Sequence, residues 1–356
     1  MRVVVATVVH HPFDARIFHR QIGSLLDAGH EVVYLAPFEN GSEPVRRGLR
    51  CRRLPRSTGR SRLGPLRAAA RLLADETMSA DLAILHDPEL TLLDRYLGCR
   101  AVWDVHEDLP AQIADKDWIP GSLRGPARLG ARLLERRAGR RFQLMLAETG
   151  YLSRFDRGTV VRNTPVVPET VAESVDLRVV YLGRVSIGRG LETMLHAMDL
   201  IDPAHTLHLY GPVDPAAERL LEGLPPTIVA HGFVDGPIAL KSIEGATVGL
   251  SLLRDLPNYR HSLPTKVLEY LAHGVPVITT PLPEAQSIVE ESGGGIVVPF
   301  DDPYAVADAI ARMASGSFRH ECAENGRQVI RDKYNWAGDA TRMMTFLEQV
   351  AAGEDR

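Results

Sequence analysis

Cysteine is scarce: Cys51, Cys99 and Cys322 are the three in 356 residues, odd in number and far apart. That excludes a disulfide framework or a zinc knuckle and suits a reducing cytoplasm. Long apolar runs are missing too, so no stretch has the length of a membrane span. The opening M-R-V-V-V-A-T-V-V-H-H-P turns polar too soon for a signal peptide and reads as a first buried strand. Aromatic residues make up 6% of the chain and none is interleaved with the arginines of residues 46–71, which removes the stacking platform that nucleic acid would need. The Walker and dinucleotide fingerprints are also absent, because Gly183, Gly188 and Gly190 follow their strand at other spacings.

What is present begins with uneven charge. The formal net charge is −4, but residues 1–170 carry 26 Lys+Arg against 20 Asp+Glu, and the remainder 15 against 25. Ten arginines fall between Arg46 and Arg71, and Arg124, Arg128, Arg132, Arg136, Arg137, Arg140 and Arg141 stud a later helix. Such a basic face can lie peripherally on the acidic inner face of a membrane or receive an anionic acceptor. The plainer reading is a solvated face in a protein that uses arginine far more than lysine.

The length suits two domains, each able to bury its own core, and the alternation of β-like runs with helical stretches indicates an α/β fold. Asn163-Thr164-Pro165 and the Pro-punctuated polar stretch after it mark a linker. The expected domains are residues 1–164 and 165–335, with a C-terminal helix, 336–356, that crosses back to the first. Val3–Val9 reads as a parallel strand, followed by a loop, a helix to about Ala28 and a second strand. This βαβ unit sets His10, His11, Asp14 and Arg16 at a strand's carboxyl end, where ligands bind in such sheets. Two later strands end in His86-Asp87 and in Asp104, His106, Glu107 and Asp108 at the same edge. The adjacent histidines and Asp14 lack a second ligand pair at helical spacing, so no metal is expected.

In the second half, a strand runs into the turn Gly183–Gly190 with Arg184 and Arg189. The stretch Arg254–Thr280 then reads as strand end, loop, helix and strand. Leu263-Pro264 should open the helix and Gly274 close it. A helix N-terminus with Lys266 in its first turn can hold a phosphate, while Glu269, one turn on and on the same face, can accept from the hydroxyls of a ribose. The bland alternative is a surface helix with a Lys–Glu pair.

P-T-K-V-L-E-Y-L-A-H-G-V-P-V-I resembles the nucleotide-sugar motif of glycosyltransferase family four, retaining enzymes of the two-domain GT-B type. H-P-F-D-A-R-I-F, H-D-P-E-L and D-V-H-E-D resemble one sub-branch of it, and the resemblance covers nearly the whole chain. It implies two Rossmann-like parallel-sheet domains facing a deep cleft, with closure excluding water, and metal-independent hexosyl transfer from a nucleoside diphosphate sugar. The first domain would take a small-molecule or glycan acceptor and the second the donor, a UDP-sugar by family frequency, with no other cofactor and no nucleic acid. Glu269 matches the second glutamate of the motif; the first falls on His261. The resemblance gives Arg184 and Arg189 to the diphosphate and His106 to the donor sugar. It gives Gly183, Tyr210, Gly232, Phe233, Val234 and the run His261, Ser262, Leu263, Pro264, Thr265 and Lys266 to the nucleotide. The acceptor side would hold His11, Asp14, Arg16, His86, Asp87, Glu107 and Asp108. Two rival activities stay open: a sugar-nucleotide 2-epimerase of the same fold, and a binding scaffold with weak or no catalysis, which His261 motivates.

Overall fold

The strand–helix alternation closes on two separate sheets. The computed structural model describes residues 1–59, 61–106, 109–110, 121–173, 177–256, 259–260 and 263–354. They form two compact units, Met1–Asn163 with Ala337–Arg356, and Thr164–Trp336.

In the first unit seven strands are all parallel: β1 (Arg2–Ala6), β2 (Glu31–Ala36), β3 (Leu49–Arg53), β4 (Leu82–Leu85), β5 (Arg100–Val105), β6 (Gln143–Leu146) and β7 (Thr159–Val160). Their order is β3-β2-β1-β4-β5-β6-β7. Val3, Val4 and Val5 are wholly buried, as consecutive residues of a central parallel strand must be when both faces are covered. The order reverses between β1 and β4, which opens a crevice beyond the carboxyl ends of these strands.

The helix after β1 departs from expectation. In place of one α-helix to Ala28, a wide π-type helix covers Ala15–Ile22 and a short α-helix, Gly23–Asp27, continues it. Asp14 caps it, its Oδ1 accepting from the backbone N–H groups of Arg16 at 2.9 Å and Ile17 at 3.0 Å. The His19 N–H reaches the Asp14 carbonyl five residues back, at 3.4 Å. Arg16 and Arg20, four residues apart on one face, and the adjoining Gln21 turn inward and are 3%, 5% and 0% exposed.

The last helix, Trp336–Ala352, packs in the first unit from Ala337 onward. Its buried Asp339 accepts from the Arg162 backbone N–H at 3.3 Å, and Arg100 donates to the Val350 carbonyl at 3.4 Å.

The second unit repeats the plan with β8 (Arg178–Leu182), β9 (Thr206–Tyr210), β10 (Ile228–Gly232), β11 (Val248–Ser251), β12 (Val277–Thr279) and β13 (Gly295–Val297). The parallel order is β10-β9-β8-β11-β12-β13, with the reversal between β8 and β11. Val179, Leu207, Leu209, Val248, Leu250 and Ile278 form its buried centre. Among the described residues no helix is long and apolar enough to cross a membrane.

Candidate functional site

The second unit gathers positive charge at its switch point. β8 ends at Leu182, and the chain turns at Gly183, whose N–H donates to the Tyr210 carbonyl at 2.9 Å. Gly183 has φ 113°, and a Cβ placed on it would stand 3.6 Å from Arg189 Nη1 and 3.7 Å from Lys266 Nζ. Two cations from distant parts of the sequence therefore face one bare stretch of backbone. The turn depends on glycine elsewhere too. At Gly211, φ 146°, a Cβ would come within 2.1 Å of the Gly183 carbonyl oxygen, and at Gly190, φ 84°, within 2.2 Å of the Leu252 carbonyl oxygen.

Lys266 lies on the helix Thr265–Ala272, which follows β11. Pro264 is its N-cap rather than part of its first turn, and Gly274 follows its end at φ 69°. Tyr270 sets the helix in place: its hydroxyl accepts from the Leu182 N–H at 2.6 Å and donates to the Leu250 carbonyl at 3.2 Å, tying the ends of β8 and β11 together. One turn back, Lys266 is carried toward Gly183. Its side chain is 9% exposed and sits 4.0 Å over the Tyr181 ring, and Nζ makes no hydrogen bond among the described residues. Burial first, and then the Arg189 charge, hold its ammonium well below the ordinary lysine range, with Glu269 opposing. A buried amine without a hydrogen-bond acceptor is costly, and a phosphate oxygen would satisfy it. The bland surface Lys–Glu helix is thereby set aside.

The other residues expected on the donor side have varied surroundings. Arg184 is turned to Asp214, Nη1 to Oδ1 at 2.7 Å, and its side chain is 60% exposed, so Arg189 and Lys266 rather than Arg184 are the cations at Gly183. Glu269 is half-buried one turn beyond Lys266. Thr265 N–H donates to the Leu263 carbonyl and Val267 N–H to that of Pro264, both at 2.9 Å. Tyr210 is buried and stacks on His231 at 4.3 Å, Gly232 accepts from the Gly211 N–H at 2.8 Å, Phe233 is 63% exposed, and Val234 packs against the core. His261 and Ser262 lie outside the described residues.

The crevice of the first unit is built on Asp104, at the end of β5 and wholly buried. Arg16 grips its carboxylate with a fork, Nε at 2.8 Å and Nη2 at 2.7 Å, and Gln21 donates at 2.9 Å. Burial pushes the Asp104 carboxyl up, but the Arg16 charge and the hydrogen bonds from Arg16, His106 and His86 outweigh it and hold it well below the usual range. His86 Nδ1 stands 3.1 Å from Asp104 Oδ2, His106 Nδ1 lies 3.1 Å from the Asp104 carbonyl, and His106 Nε2 meets His10 Nε2 at 3.0 Å. Asp87 accepts from the Val8 N–H at 2.5 Å and from the Thr7 hydroxyl at 3.2 Å.

Four of the expected acceptor-side residues thus do internal work: Asp14 caps a helix, Arg16 pairs with Asp104, and His86 and Asp87 are each 1% exposed. His11 is exposed, whereas Glu107 and Asp108 lie outside the described residues. Arg20 and Gln21 give no signal in the sequence because they are polar, and their partners, Asn163 and Asp104, lie far along the chain. His86, Asp104 and His106 also bring one potential ligand atom each within 4.8 Å of the others. The guanidinium fork on Asp104 already supplies the charge that a cation would bring, so the trio fits a hydrogen-bonded cluster better than a metal centre.

Comparison with known proteins fits these two units. The family described as Glycosyl transferases group 1 matches residues 176–315. A sucrose-phosphate synthase from Thermosynechococcus elongatus superposes with TM-score 0.76 at 20% identity, over 99% of each chain. The fold is GT-B. A second GT-B structure, Anabaena HepE in complex with UDP and glucose, gives TM-score 0.73 at 12% identity over 98% of this chain and 99% of that one. In sequence, an uncharacterized glycosyltransferase of Methanocaldococcus jannaschii is 26% identical over 165 residues, which span 44% of this chain and 41% of that relative.

Proposed function

We propose that the chain is a retaining, metal-independent glycosyltransferase that moves a sugar from a UDP-sugar to a hydroxyl of a glycan or small-molecule acceptor. The observation that carries this reading is the buried Lys266 amine, without a hydrogen bond among the described residues, beside Arg189 at the bare backbone of Gly183. The donor's diphosphate would lie over Gly183 with its oxygens on Nζ and the guanidinium, and Glu269 would take the ribose. Preorganised cations in a dry site stabilise the charge that builds on a departing diphosphate far better than they would in water. That supply of charge supports a leaving step without a metal. In the front-face route the bond from the anomeric carbon to the phosphate oxygen breaks while the acceptor oxygen bonds to the same face. The acceptor's proton passes to the phosphate oxygen that leaves, so no protein nucleophile is needed. Uridine is favoured because HepE is described in complex with UDP and glucose.

The test is thermal stabilisation by UDP-, GDP-, TDP- and ADP-sugars, with and without EDTA, on the native chain and on Arg189→Ala and Glu269→Ala. Ligand at 100 times its Kd should stabilise by about 2.7 kcal/mol. The proposal expects a shift with UDP-sugars that ignores the chelator and is lost in both variants. No shift with any nucleotide, in folded protein, sinks it.

A further inference from the structure

The loops that follow β1, β2 and β3 line a half-open pocket of about 810 Å3 in the first unit, within the size range that holds small ligands. Its floor is apolar and fixed: Pro12, Phe38 and Leu54 are buried, and Phe38 packs edge-on against Tyr34 at 5.4 Å. Its charged lining is Arg53, Arg56 and Glu39.

The arginines here differ from their neighbours. Arg46 is paired with Asp27, Arg50 and Arg52 with the buried Glu76, and Arg62 with Glu89. Arg53 instead donates to the neutral amide of Asn40, and Arg56 has no ion pair among the described residues. Arg47, Arg67 and Arg71 also lack a carboxylate there, but they do not line the pocket. The pocket therefore holds two guanidinium groups without carboxylate partners among the described residues, beside an apolar floor.

We infer that this pocket is an acceptor subsite for a sugar unit bearing one carboxylate or one phosphate. The apolar C–H face of the ring would rest on the floor, and the anion would take the forks of Arg53 and Arg56, whose planar donors match either group. Glu39 would disfavour a second negative charge. The inference rests on the glycosyltransferase reading, since it names the acceptor of that reaction.

Binding of glucose, glucuronic acid and glucose 6-phosphate would be measured by calorimetry with UDP at saturation, so that the donor turn is filled. The expected result is that at least one anionic sugar binds at least ten-fold more tightly than glucose. That preference should vanish in Arg53→Ala/Arg56→Ala and grow in Glu39→Gln, while UDP binding is unchanged. Preference for glucuronic acid assigns the group as a carboxylate, and preference for glucose 6-phosphate as a phosphate. Equal binding of all three, no binding of any, or a preference that survives the double variant overturns the inference. Failure of UDP itself to bind would count against the donor site alone, and the sugar titrations would then be read without it.

Discussion

Replacing Lys266 by methionine should stabilise the second unit and at the same time weaken its hold on a diphosphate. The lysine is 9% exposed, and among the described residues its Nζ has no hydrogen bond to offset the water it has lost. A buried polar group in that condition costs about 1–3 kcal/mol. Methionine keeps the length and removes the amine. What it forfeits is the contact 4.0 Å over the Tyr181 ring, which counts only for the charged form. The net gain should be about 1–2 kcal/mol, which for a unit of this size raises Tm by roughly 2–8 °C. In the complex the same amine would make charge-assisted hydrogen bonds of about 1.5–3 kcal/mol, so UDP affinity should fall roughly 10- to 150-fold. Thermal unfolding and UDP calorimetry on one preparation read both effects. A variant that is less stable and still binds UDP normally would make Lys266 a packing residue and not a phosphate ligand.

Other consequences follow from the same contacts. UDP binding should take up a proton, because burial and Arg189 hold Lys266 low in the free protein and a phosphate would restore its charge. Affinity should accordingly fall as pH rises through the free-protein value, and calorimetry in buffers of different ionisation heat should show an uptake that Lys266→Met abolishes. His86 is held neutral, its pKa lowered by burial to about 4 against the pull of Asp104. The unfolded chain, with an ordinary value of about 6.5, binds the proton first, so stability present above that pH should drain by about 1.4 kcal/mol per unit down to about pH 4, roughly 3 kcal/mol in all. Urea midpoints across that range would show it, and His86→Gln should flatten the slope. Tyr270→Phe leaves the Leu182 N–H without its acceptor and should cost about 1–3 kcal/mol in chemical unfolding, with weaker UDP binding as Lys266 loses its support.

Much of the architecture could be read from residue patterns. The unbroken valines of β1 and the glycines after helices mark a doubly wound fold because they answer local demands of strand burial and positive φ. Lys266, Gly183 and Arg189 were also legible, since each belongs to a strand–turn–helix signal that places it at a sheet edge. Arg184 was not, because its pairing with Asp214, 30 residues away, is tertiary and no periodicity encodes it. The same holds for Arg16. It stands beside the capping Asp14 and looks like a substrate group until a π-type turn and the buried Asp104, 88 residues on, show that its charge is spent inside. Tyr270 escaped for a different reason: it occupies a core-facing helical position where apolar burial alone would account for an aromatic, and only its two backbone partners reveal the tie.

Sugar release from the donor is the most direct test of glycosyl transfer with retention. With an α-configured UDP-sugar and water as the acceptor, proton NMR resolves the anomer of the free sugar before it equilibrates. Retention predicts UDP release with the α-anomer appearing first, in the presence of EDTA, and both much slower in Lys266→Met at the same donor concentration. First appearance of the β-anomer would contradict retention, and no UDP release, with or without candidate acceptors, would contradict transfer itself.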